Sequence, residues 1–270
     1  MQQINSANIA QAAYKDIVTI RNKAPLIHNI TNFVVMQSTA NALLALGASP
    51  IMAHAEDELS DIIDIAQSLV INIGTLDSVW INVMRKAMHL AALRKIPIVL
   101  DPVGAGATKF RTNTVHQLIQ YVSPTVIRGN ASEILSLTAP SSTKGVDSIL
   151  RPEQSVAAAT KLIAKHNCTV VISGAIDICL AAKAKLCIKN GSALMTKVTG
   201  MGCTATALIA AFCAVNPDAF AAATHAMITI GIAGEIAASK AGGPGTFQPI
   251  FYDTLYHLTE KDILEKIDIE

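Results

Sequence analysis

Residues suited to phosphate chemistry follow several apolar segments of this chain. Asp101 ends the segment IPIVLD, and Arg128 and Glu133 both belong to RGNASE. An arginine fork binds phosphate oxygens in pairs, and carboxylates bind Mg²⁺ directly or through water. Within VTGMGC, the free N–H groups of Gly200 to Cys203 and of the helix that follows form an anion pocket. These residue types together indicate phosphoryl transfer, with Asp101 and Glu133 as candidate Mg²⁺ ligands.

Cys203 stands at the start of the apolar run TATALIAAFCAV. A thiol at a helix N-terminus has a lowered pKa because the helix dipole favours the thiolate. We therefore expect Cys203 to accept the proton of a substrate hydroxyl that attacks a γ-phosphorus. Such assistance is worth about 10²–10⁴-fold in rate, and phosphoryl transfer tolerates a weak base. The structural alternative is a small buried hydrophobe, the usual role of a free cysteine.

Two common nucleotide-binding motifs are absent from the sequence. GxxxxGK[ST] does not occur, because the nearest fragment, GAGATKF at 104–110, has the wrong spacing, and GxGxxG does not occur either. A Walker-type ATPase and a standard dinucleotide-binding fold are both disfavoured.

Short β-branched segments alternate with helical patterns along most of the chain. The predicted strands are SPIMA (49–53), LVINIG (69–74), IPIVLDP (96–102), TVIRGN (125–130) and CTVVISG (168–174), followed by a hairpin at 177–191. The predicted helices are 34–46, 56–68, 78–93, 152–165, 203–215 and 218–238, with a final helix from Phe247 onward. Nearly continuous apolar strands are typical of a parallel sheet buried on both faces.

This alternation predicts an α/β fold, a doubly wound sheet with helices on both faces. Ligands of such sheets bind beyond the carboxyl ends of the strands. Ser173 joins Asp101, Arg128 and Glu133 at those ends, so we expect one site there. The chain has no internal repeat, and we expect residues 1–270 to form a single domain.

Composition narrows the class of protein. Of the 270 residues, 51% are hydrophobic and only 15% are charged, which predicts that other subunits cover part of the surface. The net charge of +1 without a block of like charges argues against nucleic-acid binding. No unbroken apolar run reaches about 18 residues, so we expect no transmembrane helix.

The cysteines and the opening segment indicate a cytoplasmic protein. Five cysteines without CxxC spacing form neither a disulfide framework nor a zinc site. The opening MQQINSANIAQAAYKDI is polar and mixed, so we expect no signal peptide.

Four motifs in this order resemble the hydroxyethylthiazole kinase family. They are PLIHNITNFVV with ANALLALGASPIM, LDPVGAGATKFR, VIRGNASEI and KVTGMGC, and the likeness extends from about Leu26 to the long terminal helices. The resemblance implies a ribokinase-like three-layer sandwich with a mostly parallel central sheet. It implies an enzyme of thiamine salvage that uses MgATP to phosphorylate 4-methyl-5-(2-hydroxyethyl)thiazole. It also implies a homotrimer with active sites between subunits.

The resemblance also implies roles for individual residues. Met52 and Gly200 would contact the thiazole, whereas Arg128 and Ser173 would contact ATP. Cys203 stands where other ribokinase-like kinases carry an aspartate base. Two positions depart from the pattern of the family: Ser173 is often threonine, and the turn is often TGTGC where this chain has TGMGC.

Structural roles remain open for the same residues. Asp101 before a proline can cap a turn, and Arg128 can form an ordinary ion pair with Glu133. Asn130 and Glu133 also fit a helix capping box. Met52 alone reads as a core residue.

Other residues invite purely structural interpretations. Ser173 alone reads as a turn residue. His28 and His54 are predicted to be hydrogen-bonded structural histidines.

Four functions remain open. The first is the thiazole kinase, and the second is a related enzyme on the same fold, such as a hydroxymethylpyrimidine kinase or a dehydratase that repairs nicotinamide cofactors. The third is a non-catalytic nucleotide-binding regulator, and the fourth is a redox enzyme that uses Cys203. The dehydratase requires aspartate at position 203, and the redox enzyme lacks a resolving cysteine at CxxC spacing.

Overall fold

An eight-stranded sheet runs through the computed structural model, which describes residues 5–138 and 152–270. Its strands are β1 (Leu26–Ile30), β2 (Ser49–Ile51), β3 (Ser68–Asn72), β4 (Ile98–Asp101), β5 (Val126–Asn130), β6 (Thr169–Ser173), β7 (Asp177–Ala181) and β8 (Ala184–Ile188). The order across the sheet is β2-β1-β3-β4-β5-β6-β7-β8. Strands β1 to β6 are parallel, and β7 and β8 add an antiparallel hairpin.

The five predicted strands and the hairpin are confirmed, but the prediction did not include β1. Its sequence LIHNI places His28 and Asn29 inside the strand, which breaks the continuous apolar pattern. Both side chains are nevertheless buried, at 0% and 1% exposure. A buried strand with two polar residues does not look like a parallel core strand in the sequence.

Eleven α-helices surround the sheet in the described ranges. They are α1 (Ser6–Lys23), α2 (Met36–Leu46), α3 (Leu59–Ile65), α4 (Ser78–Arg94), α5 (Lys109–Tyr121), α6 (Ala131–Ser136), α7 (Pro152–His166), α8 (Met201–Cys213), α9 (Ala219–Lys240), α10 (Pro244–His257) and α11 (Glu260–Lys266). Two 3₁₀ helices cover Glu56–Glu58 and Ala193–Lys197. Local signals set several ends: Gly47 closes α2 at φ 108°, and Asp218 caps α9 by accepting two backbone N–H groups.

The helix predictions differ from the structure in four places. The sequence interpretation did not include α1 or α5. The predicted helix at 56–68 was wrong, since a 3₁₀ turn and the short α3 precede Ser68, which already belongs to β3. The single predicted terminal helix is two helices, because Thr259 starts α11 with a capping box.

The sheet lies between two hydrophobic cores, as the α/β prediction requires. On one face, Val70, Val99 and Val171 pack with the apolar helices α8 and α9. On the other, Leu69, Ile71 and Leu100 pack with helices that include α4 and α7. Successive residues of a strand face opposite sides, so each central strand contributes to both cores.

Helix α9 is, by length and composition, a candidate membrane span in the part of the chain that the structure describes. Its most apolar window is 72% buried inside the protein, and the helix packs against α8 and α10. Burial in the core therefore accounts for its apolar composition.

Candidate active site

The strand order creates a crevice between β1 and β3. The chain passes from β1 to β2 on one side and then returns to place β3 on the other side of β1. The connection after β1 leads to β2 on one side, and the connection after β3 leads to β4 on the other, which leaves a crevice at the carboxyl ends of β1 and β3. Asn32 follows β1 and Asn72 ends β3, and helix α8 begins beside them.

Cys203 lies at this crevice, in the first turn of α8. Gly200 caps the helix at φ 86°, a left-handed conformation that favours glycine. A Cβ on Gly200 would lie 2.7 Å from Val35 Cγ1, so the close approach also requires glycine. The sulfur of Cys203 is partly exposed, and Asn32 Nδ2 donates to it at 3.5 Å.

The expectation of a lowered pKa for Cys203 was wrong. Burial raises the pKa of the Cys203 thiol to about 11, and the negative charge of Asp101 adds to the increase. The nearby amides of Asn72 and Asn32 and the positive charge of Arg128 lower the pKa without offsetting burial. Desolvation and the nearby carboxylate therefore outweigh the stabilising features on which the expectation rested.

Asp101 ends β4 beside Asn72 and is 1% exposed. Its Oδ2 accepts from Asn72 Nδ2 at 3.0 Å and from Thr206 Oγ1 at 2.7 Å. Burial raises the pKa of Asp101 to about 6, the charge of Arg128 opposes this, and that of Glu133 adds to it. Its Oδ1 has no hydrogen-bond partner within the described ranges. A buried carboxylate oxygen without a hydrogen-bond partner fits the binding of a cation, either directly or through a water that coordinates the cation.

Glu133 forms the capping box that the sequence indicated. Its Oε2 accepts from the N–H of Asn130 at 2.8 Å, and Asn130 Oδ1 accepts from the N–H of Glu133 at 2.9 Å. The other oxygen, Oε1, accepts from the N–H of Gly104 at 2.8 Å. Residues 5–138 and 152–270 contain no group of three or more His, Cys, Asp or Glu side chains placed to hold a metal. Asp101 and Glu133 thus fit Mg²⁺ only as a pair that leaves most of its coordination to water and phosphate.

Arg128 lies between Asp101 and Ser173 at the end of β5. Its Nη2 donates to Ser173 Oγ at 2.7 Å, and its Nη1 is 4.0 Å from Asp101 Oδ2. The suggested ion pair of Arg128 with Glu133 is therefore replaced by one with Asp101, because the facing ends of β4 and β5 bring these two together.

A cavity of about 670 Å³ opens beside Arg128. It is lined by Arg128 and Ser173, by the glycine turn at Gly200 and Gly202, and by the apolar Met227 and Ile230, among others. Its size is that of a small-molecule site. Met52 does not line it: this residue follows β2, on the far side of the crevice. Cys203 does not line the cavity either, although its neighbours Met201 and Gly202 do.

The Gly202→Ala change is expected to weaken the binding of a phosphate-bearing ligand in this cavity about 10-fold. A Cβ at Gly202 would lie 2.6 Å from Arg128 Nη1, so the guanidinium must move. Loss of a charged hydrogen bond from the displaced guanidinium costs enough binding free energy to give a change of this size. Calorimetric titration with inorganic triphosphate measures the affinity, with Gly245→Ala as control, since a Cβ there meets no described atom within 4 Å. An unchanged affinity would show that Arg128 does not contact the phosphates.

Three further polar residues of the site, Asn72, Thr206 and Asp177, were not found from the sequence. Asn72 and Thr206 form the hydrogen bonds described above, and Asp177 lines the cavity and accepts from the N–H of Gly174 at 3.0 Å. Burial raises the pKa of Asp177 to about 6. One signal was available: Thr206 lies three residues after Cys203, on the same face of a helix.

The two histidines near β1 and β2 make local contacts. His28 Nε2 lies 2.7 Å from the carbonyl of Ala53, and burial lowers the pKa of His28. His54 stacks on Trp80, with ring centroids 4.9 Å apart. These contacts agree with the structural roles expected for both.

The fold is that of the ribokinase-like class. A ribokinase-like superfamily protein from Enterococcus faecalis V583 superposes with a TM-score of 0.65 at 14% identity, covering 88% of this chain and 87% of that one. The model of the hydroxyethylthiazole kinase family matches residues 17–261, and the chain belongs to this family.

Two close relatives carry the same family name. The hydroxyethylthiazole kinase of Syntrophus aciditrophicus is 54% identical over 255 residues, which are 94% of each chain. The solved hydroxyethylthiazole kinase of Pyrococcus horikoshii OT3 superposes with a TM-score of 0.88 at 42% identity, covering 96% of this chain and 98% of that one.

Proposed function

We propose that this chain is a kinase that transfers the γ-phosphoryl group of ATP to the hydroxyethyl group of 4-methyl-5-(2-hydroxyethyl)thiazole, in thiamine salvage. The observation that carries the proposal is the position of Cys203 at the crevice, next to Gly202 of the cavity wall and hydrogen-bonded to Asn32 after β1. A phosphate donor on one side and an alcohol on the other would meet at that sulfur. Family membership supports the choice of alcohol.

The nucleotide binds in the cavity. Arg128 pairs with phosphate oxygens, and Ser173 both orients Arg128 and offers its own hydroxyl to the nucleotide. The N–H groups at the start of α8 point toward the terminal phosphate, since a helix N-terminus favours an anion. Positioning and charge neutralisation of this kind supply most of the catalysis in phosphoryl transfer.

Asp101 and Glu133 would hold Mg²⁺ with the nucleotide. The unpartnered Oδ1 of Asp101 supports this. The ion would neutralise negative charge on the phosphates.

The thiazole binds beyond β2 and β1. Met52 offers a flexible thioether to a flat, largely apolar ring, and Gly200, whose backbone packs closely on Val35 after β1, would contact the ring as well. The hydroxyethyl arm then extends toward Cys203. As the hydroxyl oxygen bonds to the γ-phosphorus, the bond to the β-phosphate oxygen breaks, ADP leaves, and the hydroxyl proton passes to the Cys203 thiolate.

The functional unit is a homotrimer in the cytoplasm, with one kinase domain per chain and sites between subunits. Phe33 and Val34 follow Asn32 directly and are 59% and 65% exposed, which supports a subunit contact beside the site. The five free cysteines support a reducing compartment. Light scattering on the purified protein measures the oligomer, and a monomer at working concentration contradicts the trimer.

The test of function is incubation of the protein with MgATP and a panel of small alcohols, read by mass spectrometry. We expect the thiazole phosphate and ADP in equal amounts. Formation of hydroxymethylpyrimidine phosphate would show that the pyrimidine alcohol is the acceptor. ATP binding without turnover would show that the chain is a non-catalytic nucleotide-binding regulator.

Changes at Cys203 test the proton acceptor. Cys203→Asp is expected to keep substantial activity, because a carboxylate at the same place also accepts a proton. Cys203→Ala is expected to lose part of the activity, by about 10²-fold, and not all of it. Measured kcat values with folding checked by circular dichroism decide this. A folded but inactive aspartate variant argues against the proposed role.

The pH profile gives a second test at Cys203. The reactive form is the thiolate, and the pKa of Cys203 is about 11. The kcat of the wild type should therefore rise as pH increases from 7 to 9, while that of Cys203→Asp stays nearly flat. A flat profile of the wild type, with chemistry rate-limiting, contradicts proton transfer to the thiolate.

A further inference from the structure

A chain of two buried side-chain amides connects Asp101 to Cys203. Asn72 is 1% exposed and Asn32 is 4% exposed. Asn72 Nδ2 donates to Asp101 Oδ2 at 3.0 Å, and Asn72 Oδ1 accepts from Asn32 Nδ2 at 2.9 Å. Asn32 Nδ2 then donates to Cys203 Sγ at 3.5 Å. The amide chain, Asn72 and Asn32, therefore spans the crevice from β4 through β3 and β1 to α8.

Backbone N–H groups fix the direction of both amides. Asn72 Oδ1 also accepts from the N–H of Gly74 at 2.9 Å, and Asn32 Oδ1 accepts from the N–H of Val34 at 3.1 Å. A backbone N–H can only donate, so the oxygen of each amide must face it. The NH₂ of Asn72 is thereby directed at Asp101 and that of Asn32 at Cys203.

This polarity has a chemical consequence at each end of the amide chain. At Cys203, the sulfur faces an N–H donor and is held as a hydrogen-bond acceptor. At Asp101, one oxygen is occupied by Asn72 and Thr206, which leaves Oδ1 free.

We infer that Asn72 and Asn32 are positioning residues, which hold the sulfur of Cys203 and the carboxylate of Asp101 in one fixed arrangement for phosphoryl transfer. The inference rests on the proposed kinase function. Neither amide has to touch a substrate. Each acts through the group to which it donates.

The main test is Asn72→Ala, assayed with MgATP and the thiazole. We expect kcat to fall about 10²-fold, the effect of a misplacement near 1 Å, with both KM values within about threefold of wild type. The control is Asn216→Ala, which removes another asparagine-to-aspartate hydrogen bond, from Asn216 Nδ2 to Asp16 Oδ2 at 2.8 Å, beyond the far end of α8. Asn72→Ala activity within twofold of this control overturns the inference.

A double-mutant cycle separates positioning from loss of structure. If Asn72 acts partly through Cys203, its removal should cost less in the Cys203→Ala background, by about threefold or more, since groups in one hydrogen-bond network couple. Equal losses in both backgrounds overturn the link to Cys203. An inactive wild type would refute the proposed function instead, so the two failures are distinguishable.

A second variant covers the case that Asn72→Ala does not fold. Gly74→Ala removes no hydrogen-bonding group, but its Cβ would lie 2.5 Å from Asn32 Nδ2 and must push this amide away. A folded Gly74→Ala protein is expected to show the same fall in kcat. Wild-type kcat in that protein overturns the inference.

Discussion

Replacement of Asp101 by asparagine is expected to lower kcat by about 10³-fold. The amide can still accept from Asn72 and Thr206, so the local hydrogen bonds survive. Its NH₂ then takes the place of the free Oδ1, where it repels a cation. Charge neutralisation by a metal ion is worth several kcal/mol of transition-state stabilisation, which corresponds to a loss of this size.

Steady-state kinetics across a range of Mg²⁺ concentrations measure the effect. The control is Asp16→Asn, because Asp16 is a partly buried aspartate that accepts from an asparagine and a histidine, at a distance from the site. A near-wild-type kcat for Asp101→Asn would show that Asp101 has no role in catalysis.

The same Asp101→Asn protein is expected to be more stable than wild type at pH 7 in Mg²⁺-free buffer. Burial raises the pKa of Asp101 to about 6, from 3.8, so the folded state binds more protons than the unfolded state between these values. Wild-type stability therefore falls as pH rises from about 4 to 6, by up to about 3 kcal/mol. The variant lacks this cost above pH 6, and its advantage should disappear below pH 4. Urea denaturation at pH 4 and pH 7 measures both.

Replacement of Arg128 by alanine is expected to lower kcat/KM for ATP by about 10³-fold. Arg128 is 12% exposed, borders the cavity and donates to Ser173. An arginine that stabilises charge on a transferring phosphoryl group is worth 10³-fold or more. The change also leaves Asp101 without its cationic neighbour, which raises the pKa of that carboxyl further.

Arg128→Lys distinguishes charge from geometry. Lysine keeps the positive charge but loses the planar fork, so we expect it to recover only a small part of the activity. Arg94→Ala serves as the control, since Arg94 pairs with Asp64 on the surface. Activity of Arg128→Ala equal to that of Arg94→Ala would place the nucleotide elsewhere.

The parallel sheet was predictable because β3 to β6 carry unbroken apolar runs with turn residues behind them. The residues at their ends, Asp101, Arg128 and Ser173, follow from the rule that ligands bind at those ends. The capping box at Asn130 was also readable, because its signal lies within four residues. In each case the information is local in the chain.

The contacts across the site were not predictable in this way. Asn32 and Cys203 are 171 residues apart, and Thr206 and Asp101 are 105 residues apart. Only the strand order brings them together, and an asparagine at a strand end is an ordinary turn residue in the sequence. The prediction of a lowered pKa for Cys203 was wrong for a related reason. The effect of the helix N-terminus is local in the chain, whereas burial is a property of the whole fold.

Helix α8 has a consequence for how ligands enter and leave. Eleven of its thirteen residues are buried. The reactive sulfur therefore belongs to one of the most rigid elements of the molecule. Backbone amides along this helix should exchange with deuterated solvent only on global unfolding, with or without nucleotide. Any opening that admits substrate must then come from the surrounding loops, and mass spectrometry of exchanged peptides would locate that motion outside α8.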